Sequence, residues 1–178
     1  MTRKNKASLR IAAASAIALA GAGFSLTSYA GSGTINVGAS IITPITVSQG
    51  AALEFGSIAP SGSAGTVVIT AAASPTVTPT GVTLVNQGAT RAAARVDLTA
   101  SAAESGYTYS VTAMTGTTTT LTSGANTMTV DNYTLSASTG TLSGTGTGSY
   151  YVGGTLNVGA NQAPGTYAGT FTATVDYQ

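Results

Sequence analysis

The chain is 178 residues long and carries six Lys or Arg, five Asp or Glu, no His and no Cys, for a formal net charge of +1. Without imidazole or thiol it offers no Ser–His or Cys–His nucleophile pair, no ordinary zinc ligand set and no disulfide. Charged residues make up 6% of the chain against 43% hydrophobic, which excludes a charge-rich disordered protein.

The chain opens with "MTRKNKASLR", continues through the uncharged run "IAAASAIALAGAGFSL" and reaches "TSYA". A basic segment, an apolar segment and a small-residue site, in that order, are the pattern of a secretory signal peptide, with cleavage expected between Ala30 and Gly31. The apolar run falls short of the ~20 residues that a membrane-spanning helix needs. Removal of residues 1–30 leaves Arg91 and Arg95 against Glu54, Asp97, Glu104, Asp131 and Asp176, a net charge of −3. No Lys then remains for Schiff-base chemistry, and no basic patch for nucleic acid or anionic lipid. Nothing after the leader is expected to span a membrane as a helix. The expected organisation is a signal peptide at 1–30, an N-terminal extension at 31–40 and one β-sandwich domain at 41–178. The leader implies export of the mature chain.

The extension runs into "TINVGASIITPITV", which alternates over an unusual length. Ile35, Val37, Ala39, Ile41, Ile45 and Val47 share one face, with Thr43 among them. A strand over Thr34–Val47 is expected, to be compared with a mean of ~5–6 residues, and Pro44 should interrupt its pairing because it lacks an N–H. Further strands are expected over Leu53–Ile58, Gly65–Ala71, Val77–Val85, Ala93–Ala100, Tyr107–Ala113, Thr118–Leu121, Thr127–Leu135, Tyr150–Val158 and Thr166–Tyr177. The turn signals are "SQGA", "PSGSAG", "NQGAT", "AESG", "TSGAN", "SGTGTGS" and "GANQAPG". Short alternating strands at this spacing predict an all-β sandwich or barrel. The Thr-Gly stretches lack the constant period that a β-solenoid requires.

The five carboxylates are dispersed. Asp97, Asp131 and Asp176 each follow a valine in an alternating strand and are read as solvated. "VDN" lacks the clustered acids of a calcium loop, and "GTGTGSYY" has Ser149 where a dinucleotide fingerprint needs its third glycine. Asn132-Tyr133-Thr134 matches a glycosylation sequon. No catalytic residue, metal ligand or cofactor is expected, and the chain is not read as an enzyme.

The last segment, "GTYAGTFTATVDYQ", places Phe171, Ala173, Val175 and Tyr177 on one face and Thr170, Thr172, Thr174 and Asp176 on the other. It resembles the last strand of chaperone–usher pilin subunits, with Tyr177 penultimate and Gly165 fourteenth from the end. "ITVSQGAALEFGSIAP" resembles the early strands of spore-coat-protein-U-like pilins, whose "LxFG" element is filled by Leu53, Phe55 and Gly56. "LNVGANQAPGTYAGTF" is similar to the hallmark of an uncharacterised family of secreted Gram-negative domains. The resemblance implies an immunoglobulin-like antiparallel β-sandwich lacking its final strand, a fimbrial subunit assembled by donor-strand complementation. Ile35, Val37, Ala39 and Ile41 would form the donor strand. Gly165, Phe171, Ala173, Val175 and Tyr177 would lie on the groove- and chaperone-facing strand. The implied partners are the same or related subunits by strand exchange, a periplasmic chaperone and an usher. The chain departs from many pilins in having no disulfide. The alternative is a monomeric secreted or surface-attached sandwich that binds glycan or matrix through its loops.

Overall fold

Valine, threonine and tyrosine, β-branched or aromatic, recur at alternate positions after residue 45, and they fit a pleated, half-buried surface. The computed structural model describes residues 30–86, 90–115 and 118–178 and gives twelve strands: β1 (Thr46–Ala51), β2 (Ser57–Ala59), β3 (Gly65–Ile69), β4 (Val77–Thr80), β5 (Thr83–Val85), β6 (Ala94–Thr99), β7 (Thr108–Thr115), β8 (Thr118–Ser123), β9 (Asn126–Leu135), β10 (Thr139–Thr141), β11 (Thr147–Val158) and β12 (Thr172–Tyr177). A single 3-10 turn, Ala102–Glu104, follows β6. Residues 1–29 of the expected leader and the tip of "NQGAT" lie outside the described residues.

All strand pairing is antiparallel. The seven-stranded sheet is organised by the twelve-residue β11. Its first half pairs with β6, and its second half lies between β3 and β9, so that Leu156 is partnered by both Val67 and Val130. β1 extends the sheet beyond β6, β4 beyond β3, and β8 beyond β9. Two smaller sheets complete the sandwich. The order β10-β7-β12 contributes Tyr109 and Val175 to a core with Val96, Leu98, Tyr150 and Val152 of β6 and β11. The β2-β5 ribbon lays Ile58 and Leu84 on the other core, which contains Phe55, Val67, Ile69, Val130 and Leu156. The fold is an all-β, immunoglobulin-like antiparallel sandwich.

The largest correction to the expected strands falls at the beginning. The chain divides between Ala39 and Ser40. Residues 30–39 are exposed and have no regular secondary structure, and in the second part pairing starts only at Thr46, after Pro44. The long alternating run therefore supplies one short strand, Thr46–Ala51, that includes the "SQGA" expected as a turn. Between Gln49 and Ala51 the register shifts, a bulge where Gly50 lies so close to the Asp97 carboxylate that a side chain there would force the carboxylate to move.

Three other expected strands are shorter or divided. Leu53–Ile58 reduces to Ser57–Ala59, with Glu54 making an isolated bridge to Ala92. Val77–Val85 breaks into β4 and β5 at Gly81, whose φ of 71° ends the ladder. The strand expected from Thr166 begins at Thr172, because Ala168 first bridges Thr122 of β8. The chain thus touches the large sheet before it crosses to β7. β10, within a Thr-Gly stretch, was not expected.

Candidate functional site

An open sandwich has edges, and most of those seen here carry a feature that discourages further pairing. β4 contains Pro79, β10, β2 and β5 have three residues each, and the outer side of β8 is bridged by Ala168. β12 carries none of these features, although its pairing with β7 shifts register between Thr174 and Val175. Among the described residues its six-residue backbone pairs only with β7, and it contains neither Pro nor Lys. The one charge on β12, Asp176, accepts a hydrogen bond from Thr112 Oγ1 at 2.9 Å, which commits the carboxylate to β7. β1 pairs only with β6, so it too has a free edge among the described residues.

The alternation of β12 sorts its side chains as the pleat requires. Val175 is buried, Ala173 and Tyr177 are half-buried against the same core, and Thr172, Thr174 and Asp176 are exposed. Phe171 precedes the strand and packs on Tyr133 at a centroid distance of 5.2 Å. The structure therefore brings Phe171, Ala173, Val175 and Tyr177 together along one margin of the core. Gly165 does not join them. It lies in the β11–β12 loop, where a side chain would strike the Ser123 hydroxyl of β8.

Ile35, Val37 and Ile41 are 85%, 95% and 98% exposed, and Ala39 is exposed as well. Four alternating apolar side chains thus stand in water without a ladder of their own. Scattered apolar exposure is ordinary, but a contiguous alternating run is not. Ala30 and Gly31, the expected cleavage pair, are also exposed.

Thr43, at the root of this exposed arm, is joined to the sandwich by Tyr177 and by Glu104, a residue to which the sequence reading gave no such role. Glu104 is only 4% exposed, and its Oε1 accepts from the Thr43 N–H at 2.9 Å. That hydrogen bond holds the carboxylate below its ordinary range, against the opposing effect of burial. The Thr43 carbonyl accepts from Tyr177 Oη at 2.8 Å, while the Tyr177 ring meets Tyr107 edge-on at 5.9 Å. The only hint in the sequence was Thr43 itself, polar on an otherwise apolar face.

The "GANQAPGTY" stretch is the loop that carries the chain from β11 towards β12. Gln162 accepts from the Gly159 N–H at 3.2 Å and donates to the Thr127 carbonyl at 3.1 Å and to Tyr167 Oη at 2.8 Å. Tyr167 Oη in turn donates to the Ala163 carbonyl at 2.8 Å. The motif thus closes its own loop and fastens it to the β8–β9 hairpin. Asp97 pairs with Arg95 at 2.8 Å on the outer face of β6. Among the described residues no three Asp or Glu side chains gather as a metal site would require, and no helix is long and apolar enough to cross a membrane.

Antiparallel sheets packed over two clusters of buried apolar side chains, with a free edge on β12, define the chain as an immunoglobulin-like β-sandwich. A family described as a domain of unknown function (DUF4402) matches residues 45–177, and the chain belongs to that family. The match begins at Ile45, next to β1, so the exposed arm lies outside it. No curated protein and no solved structure matches the chain.

Proposed function

We propose that this protein is an exported structural subunit of a fimbria or other surface fibre, joined to its neighbours by strand exchange. The observation that carries the reading is the coexistence, on one chain, of a free β12 edge beside the core and an exposed apolar arm with two-residue spacing. An added strand would satisfy the outer N–H and C=O groups of β12 and cover the margin formed by Phe171, Ala173 and Tyr177. The occupant is the arm of a second copy: Ile35, Val37, Ala39 and Ile41 present the alternation that such a margin accepts. Burial of each Ile or Val would contribute about 1.5–3 kcal/mol. In this reading residues 1–30 direct export, and a periplasmic chaperone covers β12 until an usher passes the subunit to its neighbour.

Val37→Asp and Ile41→Asp test the proposal. Each places a carboxylate where the arm would be buried, at a cost of several kcal/mol if unpaired, yet each side chain is exposed in the single chain. Sedimentation analysis should show concentration-dependent assembly of the wild-type chain and its loss in both variants, with the far-UV spectrum unchanged and, at concentrations too low for assembly, an equal melting temperature. Equal assembly by variants and wild type would overturn the proposal. A wild-type chain that stays monomeric at high concentration would favour the self-contained domain instead.

A further inference from the structure

Thr43 is gripped at both of its backbone groups by side chains remote in sequence, 61 residues away at Glu104 and 134 at Tyr177. Neither group belongs to a strand ladder, since pairing starts at Thr46. Both partners are themselves held by the sandwich. Glu104 closes the 3-10 turn after β6, where the Ser101 hydroxyl accepts from the Ala103 N–H, and the Glu104 N–H donates to the Ser101 carbonyl at 3.0 Å. Tyr177 is paired in register with Tyr109 of β7 and braced by the Tyr107 ring.

A buried carboxylate is unfavourable unless its charge is met by a donor, and a backbone N–H that meets it forms a charge-assisted bond. Glu104 Oε1 has the Thr43 N–H, while Oε2 has no hydrogen-bond partner among the described residues. Release of Thr43 would remove the leading donor to the carboxylate, leaving it to the weaker influence of the Ser101 hydroxyl and of its own backbone. The geometry therefore favours the closed grip over an open one.

We infer that Glu104 and Tyr177 are positioning residues that clasp Thr43 and so fix the root from which the apolar arm is offered to a second copy. The inference rests on the strand-exchange reading and adds its anchor. With Thr43 held, the unpaired arm ends at that residue, and β1 enters its pairing with β6 three residues later. A loosened root would lengthen the unpaired chain that must be ordered when the arm docks, raise the entropy lost, and slow assembly.

Amide hydrogen exchange on the full chain tests the clasp, with assembly rate as the second readout. The Thr43 amide should be protected in the wild type although it lies in no strand, and should exchange at least tenfold faster in Glu104→Ala. Glu104→Gln, whose amide oxygen can still accept, should restore most of that protection. Tyr177→Phe keeps the ring against Tyr107 but loses the hydroxyl, and should both speed exchange at Thr43 and slow assembly severalfold. A wild-type Thr43 amide that exchanges as fast as that of Ile41 would overturn the clasp, as would a Tyr177→Phe chain unchanged in both readouts. If Glu104→Ala fails to fold, Tyr177→Phe and Glu104→Gln still decide the matter. A wild-type chain that never assembles would remove the strand-exchange reading, while exchange at Thr43 would still report whether the clasp exists.

Discussion

Tyr150, buried in the core, and Tyr133, half-buried against it, make opposite demands. Tyr150 is 1% exposed, and among the described residues its hydroxyl has no hydrogen-bond partner. Tyr133 Oη donates to Thr119 Oγ1 at 2.6 Å, and Thr119 is itself buried. Removing an unpartnered buried hydroxyl releases a desolvated group, whereas removing one member of a buried pair strands the other. Tyr150→Phe should therefore be neutral or stabilising by up to about 1 kcal/mol, and Tyr133→Phe should destabilise by about 1–2 kcal/mol. Urea midpoints at equal m-value measure both. A larger loss for Tyr150→Phe than for Tyr133→Phe would show that the Tyr150 hydroxyl has found a partner, such as a buried water.

Among the elements, the loop between β11 and β12 depends on a single side chain. Gln162 receives one hydrogen bond and gives two, tying Gly159, Thr127 and Tyr167 together. Gln162→Ala should lower stability by about 1–3 kcal/mol, given ~1 kcal/mol net for each hydrogen bond and partial exposure of the site. The loss should appear in thermal melts and as faster exchange at the Gly159 amide. That loop was recognisable in the sequence as a turn, yet its purpose was not, because the Thr127 partner lies 35 residues away. Strands β3, β6, β7, β8 and β9 were legible because each alternates against one core and stops at a Gly-, Ser- or Asn-rich turn. The arm was not separable from β1, since alternation is the same whether a strand has a partner in its own chain or none. Gly50 looked like a turn because a bulge also uses glycine. The Glu104–Thr43–Tyr177 contacts were invisible for a different reason: they join three distant segments through two backbone groups, which leave no mark on residue type.

For the whole molecule, the residue inventory fixes how stability responds to pH. With no His and no Cys, the chain has no side chain that ordinarily titrates between the carboxylates and the tyrosines, apart from any pushed there by its surroundings. The shifts that burial and hydrogen bonding produce move outward from that interval. Glu104 is held below its ordinary 4.5, first by the Thr43 N–H, so its contribution to stability is complete above that value. The contribution is lost as pH falls through the lower value of the folded state. Tyr109, Tyr133 and Tyr150 are raised above 10.0 by burial, and Tyr177 likewise. Their neutral forms are favoured on folding, so that stability is complete below pH 10 and disappears as pH rises through the folded-state values. The melting temperature should therefore be level from about pH 5.5 to 9 and fall on both sides. Glu104→Gln should flatten the acid limb. It should leave the alkaline limb in place, since desolvation is the leading cause of the shift at each of these four tyrosines. A step in melting temperature near pH 6–7 would contradict this account, because it would require a carboxylate raised by two units or more, and Glu104, the most buried carboxylate described, is shifted the other way.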